Sequence, residues 1–204
     1  MDTSPAKASG LPVTALCELA GIALLLRLAV GLALPWLPPA ILAILLFAYV
    51  PMLHYRGIGL PAWATTIGTP GRTASTLLGT ALLGCVVYFL WLRLPLPAPL
   101  KPGPAPAIPR PLAFALFQAA IALSEEIFFR GYLHDAFTRH GRKPLLWTSF
   151  LFAAAHIAIT PSAWRAMTFF PALLFGWSRD RTGNVYAPAL LHLAFNLLPA
   201  FFGG

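Results

Sequence analysis

The chain has 204 residues, 58% hydrophobic and 10% charged, with a mean hydropathy of +0.75. A soluble domain carries about 25% charged residues, so this composition excludes an ordinary soluble protein and indicates an integral membrane protein with little room for a soluble domain. The net charge of +8 does not point to nucleic acid, because most Lys and Arg fall in short loops between apolar runs, where they set orientation and attract anionic headgroups.

Lys7 precedes an apolar run from Leu11 to about Pro35. The run is too long for a signal-peptide core and lacks a clear small-residue cleavage site, so it is expected to remain as a membrane helix. Cys17 and Cys85 lie inside apolar runs and outside any C-x-x-C pattern, which suits small buried hydrophobes rather than a disulfide or zinc framework. A membrane span needs about 20 apolar residues. By that measure the fold is an all-α polytopic bundle of about seven spans (six to eight), near 11–35, 38–54, 74–95, 112–134, 144–160, 164–178 and 185–202. The second and sixth are short and carry Pro51 and Pro171, which suggests kinked or re-entrant segments.

Glu18 and Arg27 in the first span are not spaced as an i,i+4 pair; each is expected to tether its helix to another. With seven spans, Lys7, Arg56, Arg72, Arg139, Arg142, Lys143, Arg179 and Arg181 fall on one side, and Arg93, Lys101, Arg110 and Arg165 on the other. That bias puts the N-terminus in the cytoplasm and the C-terminus outside. Prolines from Pro95 to Pro111 are too dense for a helix and favour a semi-rigid extended spacer. They divide N-terminal transmembrane helices (1–95) from a linker (96–111) and a C-terminal transmembrane core (112–204). No internal repeat is visible.

The chemistry is expected in that core. Ser124-Glu125-Glu126-Ile127-Phe128-Phe129-Arg130-Gly131 places three ionisable groups in an apolar run, where each charge costs roughly 2.5–3.5 kcal/mol on insertion scales. Glu126 and Arg130 are i,i+4 and can pair, while Glu125 lies about 100° around the helix and stays available. On this stretch alone a buried salt-bridge network locking helices together is the competing reading. Two further groups join it: His156, within Phe152-Ala153-Ala154-Ala155-His156, and His192 with Asn196 one turn later on the same face. Three helices each contributing an inward polar cluster is how bundle-core sites are built.

These residues carry a resemblance. Glu125-Glu126-x-x-Phe129-Arg130-Gly131-x-Leu133, Phe152-x-x-x-His156 and His192-x-x-x-Asn196 resemble the three signature motifs of the CPBP family, the CAAX-protease and bacteriocin-processing (Abi) intramembrane proteases. The lead-in from Arg181 to Pro188 resembles the third-motif region, so the likeness covers roughly residues 110–200. The first three spans match nothing specific. The resemblance implies an intramembrane endopeptidase of the glutamate type. In it Glu125 activates a water, His156 holds and polarises that water, His192 and Asn196 stabilise the oxyanion, and Glu126 and Arg130 support the site. No cofactor is then expected.

Zinc held by Glu125, His156 and His192 is the alternative. Against it stand the lack of His-Glu-x-x-His and the suitability of Asn196 as an oxyanion donor. A proton-coupled transporter or a non-catalytic membrane scaffold would use similar intramembrane polar groups; the missing inverted repeat speaks against the transporter. The expected partners are the lipid bilayer and a membrane protein or peptide substrate entering from it. The Ala-, Leu-, Pro- and Arg-rich composition suggests a bacterial inner (cytoplasmic) membrane.

Overall fold

Four helices begin with a proline at their first position: Pro39, Pro70, Pro111 and Pro144. There the missing N–H has no intrahelical partner to lose, and the fixed φ favours helix entry. These prolines punctuate the apolar runs and fix where several elements begin. A computed structural model of the chain describes residues 12–33, 36–56, 59–95, 97, 108 and 110–202. Most of the expected linker 96–111, together with Lys7 and Lys101, lies outside the described residues.

Every regular element among the described residues is helical. The order is α1 (Val13–Leu32), α2 (Pro39–Tyr55), a short α3 (Ala62–Thr65), α4 (Pro70–Arg93) and α5 (Pro111–Glu126), followed by a π-helical segment (Ile127–Leu133) and α6 (His134–Arg139). Then come α7 (Pro144–Ile159), a short α8 (Ala163–Ala166), α9 (Phe169–Thr182) and α10 (Tyr186–Phe202). The α5–π–α6 run is continuous over Pro111–Arg139, longer than the expected 112–134. The expected sixth span is broken into α8 and α9, so that Pro171 falls in the first turn of α9, where its missing N–H is harmless. Helix α2 passes through Pro51 and continues to Tyr55.

Three helices, Val13–Leu32, Pro70–Arg93 and Pro111–Arg139, are long and apolar enough to cross a bilayer, and Pro39–Tyr55 and Pro144–Ile159 are shorter apolar helices. Burial is inverted relative to a soluble protein. Leu24, Leu25 and Leu28 of α1 and Leu78, Leu82, Val86 and Leu90 of α4 face outward, whereas Glu126, Arg130, Thr148, Ser149 and Ser178 are wholly enclosed. Hydrocarbon outside and polar groups enclosed inside is the arrangement a bilayer imposes. The protein is an integral membrane protein.

The N-terminal helices pack directly on the C-terminal ones: α1 against α7, α2 against α5 and the π segment, and α4 against α9 and α10. The apolar core joins Leu19, Ile22 and Leu26 of α1 to Phe47 of α2 and to Phe128, Phe129, Leu133 and Phe137. Glu18 and Arg27 act as ties between elements. Glu18 bonds His54 of α2 at 2.6 Å and accepts from the Tyr132 hydroxyl at 2.7 Å. Arg27 donates to the Ile159 carbonyl at 3.4 Å.

The π segment is fixed from both sides. Gly131 faces the Trp63 indole so closely that a Cβ would come within 2.7 Å of it. That indole donates to Asp135 at 2.9 Å, and the Arg179 side chain donates to the Arg130 carbonyl at 2.9 Å. A π turn carries five-residue hydrogen bonds and is rare outside functional positions; this one begins immediately after the two adjacent glutamates.

Candidate active site

Glu126 and Arg130 form the fixed half of the site. Both side chains are fully enclosed, and Arg130 donates to Glu126 Oε1 at 3.1 Å. A second guanidinium nitrogen donates to the Ala172 carbonyl at 2.8 Å. The guanidinium also lies 4.8 Å from the Phe152 ring centroid and 5.5 Å from that of Phe175, contacts favourable to a cation. Two ionised groups leaving water need this density of partners to offset their desolvation. The same Glu126 oxygen takes a second bond from His192 Nδ1 at 2.9 Å.

Glu125, one residue earlier, is turned away from that pair. Its Oε2 lies 3.7 Å from His192 Nε2 and 4.0 Å from His156 Nε2. These are longer than hydrogen bonds, and Oε2 is buried without a hydrogen-bond partner among the described residues. The two imidazoles are anchored through their other nitrogens. His156 Nδ1 bonds the Phe152 carbonyl at 2.9 Å; a carbonyl only accepts, so Nδ1 carries the proton. His192 Nδ1 is held by Glu126, and its ring stacks on Phe175 with centroids 4.8 Å apart. Both Nε2 atoms are thereby left to address Glu125.

Asn196 follows His192 by one turn of α10 and lines two cavities that meet at these residues. The larger, about 600 Å³, runs between α4, α9 and α10 and is walled mainly by apolar side chains such as Leu83, Val87, Trp91, Leu174 and Phe195. The smaller, about 390 Å³, opens between α1, α2 and α7 and holds Glu125. His156, His192 and Asn196 line both. The structure therefore brings together all six residues singled out in the sequence, in two layers: Glu126 and Arg130 enclosed, and Glu125, His156, His192 and Asn196 lining the smaller cavity.

Three further residues belong to the site and escape sequence reasoning. Gln118 lines both cavities; it stands seven residues before Glu125, two turns away on the same face, so its spacing could have flagged it. Arg165 also lines both cavities, yet its position among loop charges reads only as an orientation signal. Asn184 is the third. Its side-chain oxygen accepts from the backbone N–H groups of Tyr186 and Ala187 at 3.0 and 2.9 Å, and its Nδ2 donates to the Ile67 carbonyl at 2.9 Å. It thus caps α10, the helix carrying His192 and Asn196, and ties its start to the 66–68 loop. The preceding Gly183, at φ +76°, supplies the left-handed turn that ends α9. Asn184→Ala is expected to lower stability by about 1–2 kcal/mol, the upper part of the range for a lost helix cap, and thermal unfolding in detergent measures it.

Compared with known families, residues 107–198 match the model of the type II CAAX prenyl endopeptidase Rce1-like family. That stretch begins before α5 and ends within α10, and so contains every residue of the two layers. No curated protein and no solved structure matches the chain.

Proposed function

We propose that this chain, whose residues 107–198 belong to the Rce1-like (CPBP) family of proteases, is a glutamate-type intramembrane endopeptidase. It hydrolyses a peptide bond in a membrane-associated protein or in a peptide tail. The observation that carries the reading is the convergence of Glu125 Oε2 with the Nε2 atoms of His156 and His192, at 4.0 and 3.7 Å, beside two cavities that share both histidines.

Gaps of this size suit a bridging water. Such a water gives one proton to the Glu125 carboxylate and its second hydrogen bond to the His156 Nε2 lone pair. That lone pair is the face neutral His156 presents once Nδ1–H is committed to the Phe152 carbonyl. Attack on the scissile carbonyl then moves negative charge onto its oxygen. Asn196 Nδ2 donates to that oxyanion, and His192, held through Nδ1 by the Glu126 carboxylate, stands beside it. A donor of this kind is worth about 2.7–4 kcal/mol in the transition state. Glu125 finally passes its proton to the leaving amine, which completes the hydrolysis.

Glu126 is not the base in this scheme. Its charge is already balanced by Arg130, and its oxygen by His192. Two paired neighbours keep it in place while Glu125 alone carries the proton. The family's substrate class, a prenylated CAAX terminus, suits a short apolar tail in the larger cavity. The composition instead suggests a bacterial inner membrane and an unprenylated tail, with the N-terminus in the cytoplasm.

A zinc reading has one observation in its favour. Histidines that bind zinc commonly have the other ring nitrogen held by a carbonyl or carboxylate, as His156 and His192 do here. Glu125, His156 and His192 would hold the ion, which would lower the pKa of a bound water and polarise the carbonyl. Chelation separates the two readings. Enzyme dialysed exhaustively against EDTA and 1,10-phenanthroline is expected to keep its full rate of peptide cleavage in proteoliposomes. Activity lost on chelation and restored only by zinc contradicts the metal-free scheme.

A further inference from the structure

We infer that Trp63 is a positioning residue for the catalytic groups, the pin of a strap that holds the Glu125 helix in register with the His192 helix. The strap, residues 62–68, lies outside the stretch that matches the family, and the inference rests on the endopeptidase reading above.

The strap grips the two helices that carry the reacting groups. On one side Trp63 is buried, with its indole pressed on Gly131, where a Cβ would come within 2.7–2.8 Å of three ring atoms. Its Nε1–H donates to Asp135 at 2.9 Å. Asp135 in turn stands 3.8 Å from the Arg179 guanidinium, whose Nε donates to the Arg130 carbonyl at 2.9 Å. A π turn departs from the regular i→i−4 ladder, and these contacts hold it from outside. On the other side the Trp63 carbonyl accepts from the Val185 N–H at 3.3 Å, and the Ala64 carbonyl from the Tyr186 hydroxyl. The Ile67 carbonyl accepts from Asn184 at 2.9 Å. Gly68, at φ +80°, brings the strap so close that a Cβ would lie 2.8 Å from the Thr182 carbonyl.

Position gives the strap its role. Gly131 follows Glu125 by six residues and Val185 precedes His192 by seven, so each grip sits about two turns from a reacting group. Trp63 takes part in both grips, through its side chain on one helix and its carbonyl on the other. The 3.7 Å gap between Glu125 and His192 is thus spanned by two helices that one residue joins. A misplacement of about 1 Å between reacting groups can cost about a hundredfold in rate. Residues 62–68 line neither cavity, so loosening the strap is expected to lower kcat and leave KM unchanged.

The test pairs peptide cleavage in proteoliposomes with amide hydrogen exchange, read by mass spectrometry on the same samples. Trp63→Phe keeps an aromatic ring against Gly131 and loses the bond to Asp135, whereas Trp63→Ala loses both. Exchange in residues 127–133 is expected to quicken about tenfold in Trp63→Phe, the worth of a hydrogen bond to a charged group, and further in Trp63→Ala. Per folded enzyme, kcat is expected to fall about tenfold in the first and about a hundredfold in the second, with KM unchanged. Gly131→Ala, which drives a Cβ into the indole, is expected to repeat the loss in the unaltered chain and to add nothing to it in Trp63→Ala. Unchanged exchange in 127–133 in Trp63→Ala overturns the inference. So does a kcat per folded enzyme that holds while stability falls, the result of a merely structural role, or a loss confined to KM. Glu125→Gln separates the two claims. Cleavage by that variant at the full rate defeats the endopeptidase scheme, while the exchange measurement still decides whether the strap holds the π turn.

Discussion

Replacing Arg130 by methionine is expected to destabilise the protein by about 3–5 kcal/mol, the range for breaking a buried ion pair from one side. The cause is the carboxylate left behind. Glu126 is wholly enclosed, and its single bonded oxygen would retain only His192. The lost guanidinium would also leave the Ala172 carbonyl without its 2.8 Å donor, and the Phe152 and Phe175 rings without the cation beside them. Combining Arg130→Met with Glu126→Gln is expected to recover much of the loss, because the neutral amide can still accept from His192 Nδ1. Thermal unfolding of the single and double variants in one detergent measures both effects. A double variant no more stable than Arg130→Met would show that the ion pair is not what holds α5, α9 and α10 together.

Glu125→Gln is expected to lower the rate of peptide cleavage by about a hundred- to ten-thousand-fold, the usual contribution of a general base. The fold should be little affected. Glu125 makes no hydrogen bond shorter than 3.5 Å with the two histidines, so the amide removes basicity without breaking a tie. Glu126→Gln provides the contrast, since it alters a residue bonded to both Arg130 and His192. Its main effect is expected on thermal stability and on the orientation of His192. Two adjacent glutamates with opposite phenotypes would be the mark of the two-layer site.

Much of this arrangement is legible in the residues alone, for identifiable reasons. Apolar runs headed by prolines locate the helices, because a proline is tolerated in the first turn and little further. The i,i+4 spacing of Glu126 and Arg130 anticipates their ion pair, and the one-turn spacing of His192 and Asn196 anticipates their common cavity. The π turn after Glu126 leaves no pattern in Ile127–Leu133, since it is set by tertiary contacts such as Trp63 against Gly131. The break between α8 and α9 is hidden because Trp164, Met167 and Phe169 keep the composition apolar across it.

The bond between His192 and Glu126 joins residues 66 positions apart, a distance at which local pattern says nothing. The same limit hides Arg165, which reaches both cavities only through the folding of the α7–α9 connection. Sequence periodicity reports what lies on one face of one helix. Which faces meet is decided by packing.

The most direct measurement is the rate at which Glu125→Gln cleaves a reporter peptide in proteoliposomes, compared with Glu126→Gln and the unaltered chain at equal amounts of folded protein. Loss of cleavage by Glu125→Gln with an unchanged unfolding temperature is the predicted result. Cleavage by Glu125→Gln at the unaltered rate would contradict the assignment of Glu125 as the base.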